Sequence, residues 1–302
     1  MLKKIVGLTG SGFLFTFGAV LALVLGIVLV VAIGKLADDP VEMAIPHSKT
    51  DNGVFILPLE GEIVSSEKFR RVLAKAVEKK QIKSIVVAID SPGGAVGPSE
   101  EINRAIAAAD KKKPVMCALG SVAASGGLYS AVACRRIFTN QGTLTGSIGV
   151  IMSYPTVSKV MSQAGVQMNV IKSGELKDVG SPFRESTDRD RDFLRGLVQR
   201  SYEQFLGAVA AGRKLDIAKV RPFADGRIIL GEEAVALGLA DEIGGVEEAA
   251  KSSFEAAGGT GELEILYAKK TGGFTEVFQE SRLGRFVRTF LKAEILYRSD
   301  LM

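Results

Sequence analysis

Residues 84–101 read SIVVAIDSPGGAVGPSEE, and the fold class follows from this stretch. SIVVAID (84–90) is a short, β-branched apolar run, the composition of a strand buried on both faces of a parallel sheet. Asp90-Ser91-Pro92-Gly93-Gly94 then closes the strand with turn residues. A helix over 97–113 follows, with Pro98 at a plausible first helical position, acids early and lysines late. Strand, tight turn and helix make one βα unit.

The same alternation extends in both directions. Upstream, VFILPLEGEIV (54–64) is strand-like, and 65–80 carries Phe69, Leu73 and Val77 on one helical face. Downstream, 114–120, 136–139, 147–153 and 166–173 read as strands, with helices over 123–134, 156–164 and 187–212. Thr187 with Asp188 and Asp190 is a good start for the last helix. A further turn, helix and strand follow over 224–245. Repeated βα units of this kind imply an α/β domain with a mainly parallel sheet.

Before that domain, 13–34 (FLFTFGAVLALVLGIVLVVAIG) is apolar and uncharged. As a helix it would span roughly 33 Å, against about 30 Å of hydrocarbon, so an uncleaved membrane anchor is expected. A cleaved signal would have a shorter apolar region and a small-residue site after it. The sequence is thus parsed as an amino terminus (1–12), a transmembrane helix (13–34), a tether (35–52), the domain (53–258) and a carboxy-terminal strand with a basic amphipathic tail (259–302). Within the tail, 275–302 alternates apolar residues with Arg282, Arg285, Arg288 and Lys292. Membrane surface, domain packing and a neighbouring subunit all fit that pattern.

Composition excludes much chemistry. The 302 residues are 47% hydrophobic with a net charge of +4, no Trp and no basic patch interleaved with aromatics, so nucleic acid is not an expected partner. A single histidine, His47, lies in the tether, where it reads as a solvated linker residue. With two cysteines besides, no metal site is expected, and no cofactor motif is present. Cys117 and Cys134 have apolar neighbours and are expected as buried free thiols.

Three glycine-containing loops remain. IDSPGG can offer bare N–H groups to a developing oxyanion, although locally it is only a tight βα turn. In LGSVAASGGLYS, Ser125 stands between small residues and two glycines, with the N–H of Gly126 beside it; taken locally, the residues favour an ordinary N-capping serine. In IKSGELKDVGSPFRES, Lys177 lies in a loop. A lysine can replace histidine as base when it is neutral, but most loop lysines are only solvated.

In combination these motifs are more specific. DSPGG, SxxASGG, TGSIGV and KxGxxKDxxSPxR, in this order, resemble the bacterial signal peptide peptidase A family, over roughly 53–250 plus the anchor. ADGR (224–227) and GLADEIGG (238–245) also look like this family. The resemblance implies a Clp protease/crotonase-like α/β fold and a membrane-anchored serine endopeptidase with a Ser/Lys dyad. Ser125 would be the nucleophile and Lys177 the general base. Gly94 and Gly126 would supply the oxyanion hole, and Ser147 would position the lysine. It further implies peptide substrates, chiefly signal-peptide remnants, and a catalytic domain outside the cytoplasmic membrane. Long members carry two copies of the domain and this sequence carries one, like the short form, a ring-like homo-oligomer with active sites shared between subunits. A non-proteolytic membrane scaffold or peptide-binding module, or a crotonase-like acyl-CoA enzyme, would share the fold. The intact Ser125 and Lys177 favour the peptidase.

Overall fold

The computed structural model describes residues 42–48 and 50–271. The expected anchor (13–34), the start of the tether and the tail 275–302 lie outside the described residues. Among those described, no helix is long and apolar enough to cross a membrane.

Residues Ile45–Ala268 form one compact unit. Its strands and helices alternate: β2 (Gly53–Glu60), α1 (Glu67–Glu78), β3 (Ile82–Ser91), α2 (Val96–Asp110), β4 (Val115–Ala124) and α3 (Gly126–Ala131). After these come β5 (Arg136–Thr139), β6 (Leu144–Gly146), α4 (Ser158–Gln163), a 3₁₀ turn (Glu175–Asp178), α5 (Asp188–Arg213) and α6 (Ile217–Val220). The unit closes with β7 (Ile228–Leu230), α7 (Gly231–Ala236), β8 (Glu242–Ile243), α8 (Val246–Ala256) and β9 (Glu264–Tyr267). In a second, separate unit β1 (Glu42–Ala44) pairs antiparallel with β10 (Lys269–Thr271).

The main sheet has the order β7-β6-β4-β3-β2-β9, with β5 beside β4 and β8 beside β5. Every pairing is parallel except β6 with β7. The fold is therefore α/β with a mixed, mainly parallel sheet. The central strands are buried on both faces, as their continuous apolar runs require. Val54, Ile56, Val86, Met116, Ala118 and Phe138 meet Ala249, Ala250 and Phe254 of α8. Alternation sends Phe55, Leu57, Ile85, Val87 and Ile89 to the opposite face, where α1 buries Phe69, Val72 and Leu73 and α2 buries Ile102 and Ile106. Each such large side chain contributes about 1.5–3 kcal/mol.

Several expectations change. The helix after the first turn begins at Val96, so Pro98 lies inside its first turn. The helix expected over 123–134 shrinks to α3, because β4 continues to Ala124. Neither 147–153 nor 166–173 is a strand: 166–173 and 151–153 are exposed, only Ile148 is buried, and neither stretch has a strand beside it among the described residues to satisfy its backbone. The expectation of free thiols is overturned as well. β4 and α3 fold back on each other around residue 125, bringing Cys117 and Cys134 to a Cα separation of 5.7 Å, and the two form a disulfide.

Candidate active site

The parallel strands carry their loops at one sheet edge, and β3 and β4 deliver DSPGG and ASGG there side by side. Ser125 is the hinge between β4 and α3, with φ 52° and ψ −118°. For a residue with a Cβ this is a sparsely populated conformation, costing about 1–3 kcal/mol and held only by its surroundings. Its N–H donates to the Gly146 carbonyl at 2.9 Å, and its carbonyl accepts the N–H of Tyr129 at 2.8 Å as the first bond of α3. The side chain stays half-buried at a strand-to-helix turn, the geometry that exposes a nucleophilic hydroxyl.

Neighbouring residues fix that turn. Ser130 Oγ donates to the Gly126 carbonyl at 2.8 Å, and Asn103 Nδ2 to the Tyr129 carbonyl at 2.7 Å. The Tyr129 ring packs on Phe205 of α5, centroids 5.0 Å apart. Thr145 Oγ1 donates to the Ala123 carbonyl at 2.6 Å, and the Val122 N–H donates to Asp90 Oδ1 at 3.0 Å.

The DSPGG loop lies directly against this hinge. A Cβ on Gly93 would stand 2.6 Å from Gly126 N and 2.8 Å from Ser125 Cβ; one on Gly94 would stand 2.3 Å from the Ile63 carbonyl oxygen. Only glycine fits either place, and Gly93 also has φ +103°. Gly94 N in turn lies 3.2 Å from where a Gly126 Cβ would stand. The structure thus brings Ser125, Gly94 and Gly126 together. Ser147 follows Gly146 at the same edge with φ 50°, and its N–H donates to the Arg227 carbonyl at 2.7 Å. Arg227 is itself held by Asp225 at 2.6 and 2.8 Å, which gives the ADGR sequence a positional role.

Lys177 is placed differently. It sits on the exposed 3₁₀ turn, beside a shallow pocket lined by Ser173, Gly174, Glu175, Leu176 and Arg189. No hydrogen bond joins it to Ser125 among the described residues, and no part of the Ser125 hinge enters that pocket's wall. A larger groove of about 660 Å³ between α1 and α2, floored by Leu73, Ala74, Val77 and Ala105, also contains none of the candidate residues.

The Lys177 turn is nevertheless built. Asp178 takes Arg184 at 2.8 and 2.9 Å and Lys172 at 2.7 Å. Arg184 also reaches Asp190, which closes a capping box with Thr187 at the start of α5. Arg184 first, and Lys172 second, hold the Asp178 carboxyl well below the usual carboxylate range. Arg184, followed by the Thr187 N–H, does the same to Asp190. His47 is exposed. Among the described residues no cluster of His, Cys, Asp and Glu could hold a metal.

The anchoring roles of Asp90, Ser91, Thr145 and Arg184 were not legible in the sequence. All four stand in the motifs read there, but a motif does not say which atom a side chain holds.

The model of peptidase family S49 matches residues 107–258. A Synechocystis sp. protein designated a protease is 43% identical over 184 residues, covering 61% of this chain and 66% of that protein. An Enterococcus faecium protein designated a signal peptide peptidase is 34% identical over 241 residues, covering 78% and 70%. Protease 4 of Haemophilus influenzae is 30% identical over 213 residues, covering 67% of this chain but only 34% of its own length.

Proposed function

Because the chain belongs to peptidase family S49, the signal peptide peptidase A family of serine proteases, we propose that it is a serine endopeptidase working through Ser125 and Lys177. The observation that carries this reading is the strained Ser125 hinge with Gly94 and Gly126 packed against it. Ser125 Oγ attacks the peptide carbonyl while a neutral Lys177 accepts its proton. The oxyanion is met by the N–H groups of Gly94 and Gly126. Lys177 then protonates the leaving amine, and water hydrolyses the acyl-enzyme. Ser147 holds the lysine amine in place. No step uses a metal or cofactor.

The dyad is assembled between copies of the chain. Two observations support this: Lys177 is exposed and makes no hydrogen bond to Ser125 among the described residues, and the segment leading to it carries solvent-facing Ile151, Met152, Val160, Met168, Val170 and Ile171. Ile151 is 90% exposed, and an apolar run of this kind marks an interface. A head-to-tail ring of identical chains covers it and gives each Ser125 the neighbour's Lys177. The fold in this reading is that of Clp protease and the crotonases.

The span 13–34 anchors the chain in the cytoplasmic membrane, with the catalytic domain outside. The disulfide supports that side, since such bonds persist in oxidising compartments. Substrates are signal-peptide remnants and other peptides released at the membrane.

A serine-reactive peptidyl phosphonate tests the chemistry. It should label Ser125 in detergent-solubilised protein, and Ser125→Ala and Lys177→Ala should each abolish hydrolysis while His47→Ala leaves it unchanged. Absence of labelling, or an active Lys177→Ala, would overturn the reading.

A further inference from the structure

In the loop after β3 nearly every backbone donor has a partner. Pro92 has no N–H. The Gly93 N–H donates to Ser91 Oγ at 3.1 Å, and the Ala95 N–H donates to the Ile63 carbonyl at 2.8 Å. Among the described residues this leaves Gly94 as the one position between 92 and 95 whose N–H has no intramolecular acceptor. Its direction is set too. The Gly93 carbonyl accepts the Ile63 N–H at 2.8 Å, and in a planar trans peptide the next N–H points to the opposite side.

Ser91 holds this arrangement together. It is fully buried, and its hydroxyl donates to the Gly61 carbonyl at 2.6 Å while accepting the Gly93 N–H. Its backbone reaches the helix that follows the nucleophile: a Cβ on Gly127 would stand 2.8 Å from the Ser91 carbonyl oxygen and 3.6 Å from Ser91 Cβ. One residue therefore ties the 61–63 turn, the Gly93-Gly94 loop and the first turn of α3. Two consecutive glycines have little conformational preference of their own, so the direction of the Gly94 N–H depends on such ties.

We infer that Ser91 is a positioning residue of the oxyanion hole, keeping the Gly94 N–H turned toward the site where negative charge develops. The inference rests on the peptidase reading and deepens it. Without the hydroxyl, the Gly93 N–H loses its acceptor and the Gly61 carbonyl its donor, and the glycine pair is held from the 61–63 side by the bonds to Ile63 alone. The loss falls on the transition state, because the ground-state carbonyl depends less on that donor.

The test is steady-state hydrolysis of a fluorogenic peptide by full-length Ser91→Ala, alongside inhibition by a peptide boronate whose tetrahedral adduct places an oxygen in the hole. We expect kcat to fall roughly 10- to 100-fold at nearly unchanged KM, with boronate affinity falling in parallel. Ser253→Ala is the control. Its hydroxyl is equally buried, 2.9 Å from Ser84 Oγ, but remote in sequence and contacts from the loop, so it should lower the melting temperature and leave kcat unchanged. If Ser91→Ala does not fold, Ser91→Cys keeps the shape of the side chain with a slightly larger atom, weakens both hydrogen bonds and should show the same kcat loss. A Ser91 variant that folds and keeps kcat within about twofold of wild type, or that loses activity through KM alone, overturns the inference and spares the peptidase reading. A wild-type protein that neither hydrolyses peptides nor reacts with the phosphonate overturns both.

Discussion

Ser125 shows how much of this site is paid for by the scaffold. Its φ of 52° and ψ of −118° suit glycine, yet a serine is held there by backbone bonds to Gly146 and Tyr129. Alanine keeps that strain and glycine removes it. Ser125→Gly should therefore melt above Ser125→Ala, by about 1 kcal/mol after the entropy cost of glycine, with both variants inactive. Thermal unfolding of the two checks this; an equal or lower melting temperature for the glycine variant would show that the hinge is not strained. At this scale the sequence displayed the small and glycine neighbours of Ser125 but not its backbone angles. Those angles come from tertiary contacts with residues 93–94 and 146. The cysteines were misread for the same reason: their spacing says nothing of the reversal at 125 that brings them together.

Among the elements, the strands β2, β3, β4 and β5 were legible because each apolar run is buried within one chain, where composition and burial agree, although β4 runs on to Ala124 at the expense of the helix expected there. The capping box of α5 was legible from Thr187 and Asp190 alone. The strands expected over 147–153 and 166–173 were not, although the helix between them is present as α4. Apart from the buried Ile148, apolar residues such as Ile151, Met152, Val166, Met168, Val170 and Ile171 face solvent in one chain, so strand-like composition did not become strand. The Lys177 turn depends instead on ion pairs. Asp178 and Asp190 have carboxyls depressed by Arg184, so their contribution to stability is full above the ordinary unfolded value of about 3.9 and is lost as pH falls below it. Amide exchange over 172–190 should thus be steady from neutral pH to about 5 and rise, relative to its intrinsic rate, only below about 4. Arg184→Ala should bring that loosening to neutral pH and lower kcat/KM at least roughly tenfold, through misplacement of Lys177. Unchanged exchange and activity in Arg184→Ala would exclude this role. The disulfide closes the 117–134 segment around Ser125, a sequence separation of 17. Replacing both cysteines with alanine should cost about 3 kcal/mol, or roughly 6–12 °C in melting temperature. A melting temperature unchanged by the double replacement would contradict a bridged native state.

At the scale of the whole molecule, the proposed active site is a property of the assembly. Ser125, Gly94 and Gly126 come together within one chain, while Lys177 stands out on a turn reached through exposed apolar residues. The motifs point to both halves of the proposed dyad, but which chain would complete which site is a matter of assembly geometry. Head-to-tail contacts offer a different surface to each neighbour, so a serine from one chain and a lysine from the next is the natural arrangement. The most direct test is complementation. Ser125→Ala and Lys177→Ala chains, each inactive alone, are mixed equally, dissociated and reassembled, with subunit exchange verified by differential labelling. Random assembly of shared sites pairs an intact serine with an intact lysine at roughly one site in four, so peptidase activity should return to about a quarter of wild type. A mixture that exchanges subunits and stays inactive would contradict the shared site.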